Sequence, residues 1–247
     1  MSPFSIENKI ILVTGASSGI GRAVAVVCAE MGANVIITAR NEQRLDETLL
    51  LMGGKNHTKI VADLTDFKQV EKLVESLPKV DGFVFATGIA KTLVANLVEN
   101  EDVEEIFKTN IFSAISLTQQ LIQQKKLNKN ASLVYISSIS GVKCGYIGGG
   151  LYGASKGAIE GFIKGTALEL SGRGIRLNTV VPAMIETPLL GNIDILSEQF
   201  AEDVKRYPLK RYGKPEEVAY AVVYLLSDAT QWITGTSLLI DGGYTLQ

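Results

Sequence analysis

Short apolar runs recur along the chain, separated by stretches whose apolar residues fall three and four positions apart. The first run, Lys9 to Thr14 (K-I-I-L-V-T), is rich in branched side chains and shows no polar alternation, the pattern of a strand covered on both faces of a parallel sheet. Asn34 to Thr38, Thr58 to Ala62, Gly82 to Phe85, Ser132 to Ser137, Arg176 to Val181 and Ser237 to Ile240 are further strands. Helical spacing marks Arg22 to Met31, Asn41 to Met52 before Gly53-Gly54, a segment from about Asp66, Glu101 to Gln124 with Phe107, Ile111, Ile115 and Leu121 on one stripe, and Tyr152 to about Gly172. At Pro215-Glu216-Glu217 a proline and two acids suit a first helical turn. Alternating strands and helices predict an α/β fold with a parallel sheet. No repeat or linker divides the chain, so one domain, 1–247, is expected. The pattern lapses between Ala183 and Lys214, and this interval, with Met184, Leu189, Leu190, Ile195, Leu196 and Phe200, reads as a substrate lid.

The turn after the first strand is Gly15-Ala-Ser-Ser-Gly-Ile-Gly21. Strand, glycine turn and helix together form a phosphate-binding arrangement: the backbone approaches a pyrophosphate closely, and a helix N-terminus offers N–H groups to the anion. A carboxylate at the end of the second strand would hold the adenosine ribose hydroxyls of NAD. Ala39 and Arg40 stand there instead, and an arginine can pair with the 2′-phosphate of NADP; the alternative is a surface arginine opening the next helix. Two readings fit Asp63: acceptor for the adenine amino group with Leu64 over the ring, or cap of the helix beginning near Asp66. At Ala86-Thr87-Gly88 the backbone is expected to pass close to a cofactor or another chain, while Phe83 and Phe85 are core.

Composition narrows the chemistry. The 247 residues are 46% hydrophobic and 20% charged with a formal net charge of -2, and Lys125, Lys126 and Lys129 form no basic footprint for nucleic acid. Cys28 and Cys144 lack metal-site spacing and are read as reduced packing residues; with His57 the single histidine, neither a zinc site nor a histidine triad is expected. Met1 to Asn8 lacks the pattern of a signal peptide, and no apolar stretch approaches the roughly 20 residues that span a bilayer. A cytoplasmic protein with small-molecule partners, or copies of itself, is expected.

Leu151-Tyr-Gly-Ala-Ser-Lys156 puts Tyr152 and Lys156 one helical turn apart on one face. A phenol has a pKa of about 10 and a nearby ammonium favours its ionised form, so Tyr152 reads as a proton donor and acceptor. The plainer reading is an ordinary aromatic with a solvated lysine behind it. Ser138 falls where a strand tip meets the ligand crevice of an α/β sheet. Asn110 interrupts a helix in which asparagine is a poor fit, and is expected to hold a water or distort the helix near the site.

Together, Thr14-Gly-Ala-Ser-Ser-Gly-Ile-Gly21, Asn110, Ser138, Tyr152 with Lys156, Asn178 with Pro182 and Thr187-Pro188, and Ile233-Thr-Gly235 with Asp241-Gly-Gly243 resemble the classical short-chain dehydrogenase/reductase family over nearly the whole chain. The resemblance implies a Rossmann fold, strand order 3-2-1-4-5-6-7, and hydride transfer between a nicotinamide and an alcohol or carbonyl. It implies that Tyr152 is the acid/base, that Lys156 binds the nicotinamide ribose and lowers the tyrosine pKa, that Ser138 holds the carbonyl oxygen and that Asn110 anchors a relay water. It carries cofactor contacts onto Gly15, Ser17, Ser18, Ile20, Arg40, Asp63, Leu64, Ala86, Gly88, Tyr152, Lys156, Pro182, Ile185 and Thr187, with NADP(H) as cofactor, and it implies a homotetramer. The nearer likeness is to reductases of 3-oxoacyl groups on acyl carrier protein, for which Lys129 and Arg173 would be docking residues beside the site mouth. Another small ketone (sugar, steroid or cyclic) and a non-catalytic NADPH-binding regulator are the alternatives. Phe85-Ala-Thr-Gly88 and Pro182-Ala183 depart from the family's usual Asn-Asn-Ala-Gly and Pro-Gly, the second expected to stiffen the lid hinge, and the glycine-rich interval from Ser138 to Tyr152 is one residue long of the common length.

Overall fold

The computed structural model describes residues 2–54, 56–188 and 198–246, with 198–201 described by their backbone alone. Among these residues β1 (Ile10–Thr14), β2 (Asn34–Ala39), β3 (Thr58–Val61), β4 (Val80–Phe85), β5 (Leu127–Ile136), β6 (Arg176–Pro182) and β7 (Ser237–Ile240) form one parallel sheet in the order β3-β2-β1-β4-β5-β6-β7. The helices are α1 (Gly19–Glu30), α2 (Glu42–Met52), α3 (Phe67–Ser76), α4 (Asn100–Phe107), α5 (Ser113–Gln123), α6 (Gly150–Leu170), α7 (Glu198–Lys205) and α8 (Pro215–Leu226). This is the doubly wound, Rossmann-type α/β architecture that the alternation predicts.

Successive strand residues feed opposite faces, which explains the runs without polar alternation. Ile11, Val13, Val84, Val134 and Ile136 join Val24 of α1, Leu45 of α2 and Val222 of α8 in one core. Leu12, Phe83, Phe85, Leu133 and Tyr135 join Leu73 of α3, Leu117 of α5 and Ile163 of α6 in the other. Phe83 and Phe85 are fully buried, and Phe83 meets Tyr135 edge-on at 5.8 Å between ring centroids.

Three segments differ from expectation. β5 begins at Leu127, earlier than the apolar run, because Asn128, Lys129 and Asn130 continue the strand through a register shift against β4, with Asn130 at a φ of 65°. α7 lies inside the interval read as lid; of the residues named there, Leu189, Leu190, Ile195 and Leu196, and the side chain of Phe200, lie outside the described residues. The helix expected over Glu101 to Gln124 is continuous but carries a π turn at Lys108–Phe112, centred on Asn110. Cys28 is buried and its thiol is pushed up to about 12 by burial, whereas Cys144 lies in the wall of a cavity rather than in a core.

The C-terminal strand ends open on a common edge, where the loops after β1 to β6 enclose a cavity of about 1180 Å³.

Candidate active site

The nucleotide half of the cavity is built of backbone. Gly15 has a φ of +64°, and a Cβ on it would come within 2.7 Å of the Ala86 carbonyl oxygen; a Cβ on Gly21 would lie 2.4 Å from the Gly15 oxygen. Only glycine allows this turn, β4's tip and the start of α1 to pack so closely. Ser18 makes no side-chain cap on α1, leaving first-turn N–H groups for an anion, and the cradle therefore fits a dinucleotide pyrophosphate. Thr14 Oγ1 accepts the Ala86 N–H at 3.1 Å, tying β1 to the departing Phe85-Ala-Thr-Gly88 turn.

Arg40 is exposed on the cavity wall, and Arg44 joins it from the first turn of α2, where Asn41 caps the Arg44 N–H at 2.9 Å. Arg44 was invisible to strand-end reasoning; its place on the helix after Arg40 is the signal that marks it. Asp63 is not a helix cap. Its carboxylate accepts from Thr65 N and Oγ1 at 2.9 Å each, Asp66 caps α3, and Asp63 and Leu64 both line the cavity. Ser17, Ile20, Gly88, Pro182, Ile185 and Thr187 line it too.

The other half gathers Ser138, Tyr152 and Lys156. Gly141 (φ +80°) lies on the first turns of α6: a Cβ there would stand 2.0 Å from the Gly153 oxygen, and the absence of side chains at Gly141 and Gly153 lets the loop press Ser138 toward Tyr152. The hydroxyls of Tyr152 and Ser138 are hydrogen-bonded, and Ser138 Oγ also accepts the Ser140 N–H at 3.1 Å. Lys156 Nζ donates to the Ile136 carbonyl at 2.9 Å and stands 5.8 Å from the Tyr152 ring centre. Asn110 sits one layer behind the wall. Its carboxamide accepts the Ile89 N–H at 2.8 Å and donates to Ile89 O at 2.9 Å and to Ser155 Oγ at 3.0 Å. A Cβ on Gly88 would approach Lys156 Nζ at 3.3 Å and Asn110 Oδ1 at 3.4 Å, so glycine is what lets the three converge.

The expected depression of the Tyr152 pKa is not what the pocket produces. Burial pushes the phenol up to about 12 against the pull of Ser138, and burial draws Lys156 down to about 8. The ammonium is aimed at the Ile136 carbonyl, so desolvation outweighs any field it casts on the phenol.

A family model described as enoyl-(acyl carrier protein) reductase matches residues 15–245. The chain is a short-chain dehydrogenase/reductase. It is 34% identical over 247 residues to the 3-oxoacyl-[acyl-carrier-protein] reductase FabG of Thermotoga maritima, covering 98% of this chain and 99% of that protein. It is likewise 34% identical to carbonyl reductase family member 4 of Danio rerio, over 97% of this chain and 99% of that one. Among solved structures, a short-chain dehydrogenase/reductase of the glucose/ribitol dehydrogenase type from Brucella melitensis superposes with a TM-score of 0.90 at 29% identity, covering 98% of each chain. Membership brings a nicotinamide cofactor, NAD or NADP, which the glycine cradle fits.

In this short-chain dehydrogenase/reductase the two basic residues expected at the site mouth are not there. Lys129 is at the start of β5 and Ser138 beyond its end, roughly 30 Å apart at ~3.3 Å per strand residue. Arg173 follows the 21-residue α6 and donates to the Leu127 carbonyl at 2.7 Å, about 30 Å from Tyr152 by helical rise. Both belong to the opposite edge of the sheet. The described residues that sequence reasoning missed on the substrate side include Tyr146, Asp203, Arg206, Tyr207, Tyr212 and Tyr244.

Proposed function

We propose that the chain is an NADPH-dependent oxidoreductase that reduces a ketone to a secondary alcohol. The observation that carries this reading is the convergence of Ser138, Tyr152 and Lys156 at the cavity that the glycine cradle shares, with Asn110 directly behind. When bound, the nicotinamide supplies the hydride. Tyr152 then gives its proton to the substrate oxygen, and Ser138 donates a second hydrogen bond to the charge developing there. Lys156 holds the nicotinamide ribose, and Asn110, which already pins the Ile89 backbone, holds the relay water. A protein that only bound nucleotide would not need this set.

Within that reading a 3-oxoacyl thioester on acyl carrier protein is one substrate, suggested by the relatives' names; keto sugars, steroids and cyclic ketones are others. The test is NADPH consumption with an acetoacetyl thioester on carrier protein, simple 3-oxo esters, keto sugars and cyclic ketones. Turnover of none of them, with either cofactor, would leave a regulatory nucleotide binder.

Arg40 is our reason for NADPH. Losing a charged pair to phosphate costs about 1.5 to 3 kcal/mol, so Arg40→Ala should weaken NADPH roughly ten- to a hundred-fold and leave NADH nearly unchanged. Fluorescence titration of both cofactors decides it: equal weakening of the two, or NADH binding as tightly as NADPH to the wild type, removes the assignment. Arg44 on the same wall should soften the loss, and the double variant should show the full effect.

We further propose a cytoplasmic homotetramer built through the long helices, the last strand and the C-terminal tail, where Phe112, Leu168 and Leu246 are exposed and Ile240 in β7 is partly buried. No described helix is long and apolar enough to cross a membrane. A monomer in light scattering at micromolar concentration would count against the assembly.

A further inference from the structure

Two segments far apart in sequence line the substrate end of the cavity. Asp241 accepts from the Gly243 N–H at 3.0 Å and the Thr245 N–H at 2.9 Å, and Leu209 N donates to Gly242 O at 3.3 Å, so the turn after β7 is folded onto the segment that follows α7. This sets Tyr244 against Tyr207 at 4.9 Å between ring centroids, with Tyr212 edge-on to Tyr207 at 5.2 Å and 79°. All three line the cavity that holds Ser138 and Tyr152.

The polar atoms of these tyrosines have partners. The Tyr212 hydroxyl donates to Asp203, the Tyr244 hydroxyl accepts from Arg206, and the Tyr207 hydroxyl meets the Met184 backbone. Arg206 pairs with Asp203 at 3.2 Å and lies 5.1 Å from the Tyr244 ring centre, so its charge is matched inside the cluster. Tyr207 and Tyr212 are buried, each 3% exposed, and back the half-buried Tyr244, whose ring is tilted 37° to that of Tyr207; beside the matched Asp203–Arg206 pair, what the wall offers to a ligand is the rigid ring of Tyr244. Such a surface favours a flat partner in edge or offset contact, whereas a linear acyl chain must freeze several rotors to follow it.

We infer that Tyr244, held in place by Tyr207 and Tyr212, is the substrate-selecting wall, and that it selects ketones whose non-reacting group is an uncharged ring, aromatic or alicyclic. The inference rests on the reductase reading. Tyr244 is the specificity-determining residue to test, since it is the member that the C-terminal turn delivers.

The experiment compares acetophenone with 2-octanone, matched in carbon count, and with an acetoacetyl thioester, using full-length wild type, Tyr244→Ala and Tyr244→Phe. In the wild type acetophenone should lead 2-octanone about tenfold in kcat/KM. Tyr244→Ala should bring that ratio close to unity, chiefly through KM, while Tyr244→Phe, which keeps the ring and loses the bond to Arg206, should hold it. NADPH dissociation constants equal to wild type establish that each variant is folded. A wild type that prefers 2-octanone or the thioester, or a ratio untouched by Tyr244→Ala, overturns the inference and leaves the reductase reading intact. Turnover of no ketone by the wild type overturns both.

Discussion

Tyr152→Phe should abolish reduction of any ketone the wild type accepts, lowering kcat by about 10³-fold, while NADPH affinity stays within a few-fold. The substitution removes one oxygen and keeps the ring, so α6 and the contact between its first turns and Gly141 persist; what disappears is the proton donor and the hydroxyl bonded to Ser138. Equal NADPH oxidation by wild type and variant would end the assignment. The pH profile should carry a second signature. Tyr152 is held up to about 12 and keeps its proton throughout the working range, whereas Lys156, drawn down to about 8, is an ammonium below that pH and an amine above it. kcat/KM should therefore fall as pH rises through about 8, and the limb should move upward in Lys156→Arg, because an arginine stays charged. A limb that ignores that substitution would belong to another group.

Gly141→Ala should be the most damaging change away from the reacting groups. The positive φ costs a side chain about 1–2 kcal/mol, and the new methyl would stand 2.0 Å from the Gly153 oxygen, so the loop must lift from α6 and carry Ser138 with it. We expect activity to fall about 10²-fold and Tm by about 5–10 °C, as a loss of about 2–4 kcal/mol implies for a chain of this size. Gly165→Ala is the comparison: Gly165 lies within α6 at an exposed position with nothing within 4 Å of the added carbon, and the variant should keep or raise Tm. Similar behaviour of the two variants would refute the packing argument.

Much of the architecture was legible because the centres of parallel strands buried on both faces are apolar without interruption, as residues 10–13 and 35–37 are. The first half of β5 was not, because polar Asn128 to Asn130 sit in a bulge where no face needs burial. The glycine turn, Ser138, Tyr152 and Lys156 could be found because their spacing is local or terminal to a strand. The direction of the Tyr152 shift could not, since it depends on where the ammonium points and how dry the pocket is. Lys129 and Arg173 show the same limit: proximity in a motif says nothing about which end of a strand or helix a residue occupies. The tyrosine cluster is assembled from two segments far apart in sequence, and no periodicity links Tyr207 or Tyr212 to Tyr244.

The π turn at Lys108–Phe112 is an α-helix holding one residue more than its hydrogen bonds require, and the surplus is what turns the Asn110 carboxamide to Ile89 and Ser155. Deleting exposed Lys108 would let α4 and α5 fuse into an uninterrupted helix while swinging one half by about 100° against the other. The result should be a better-ordered rod and a poorer enzyme. Across Asn100 to Gln123, then, residue identity at the exposed positions is negotiable, but residue number is not.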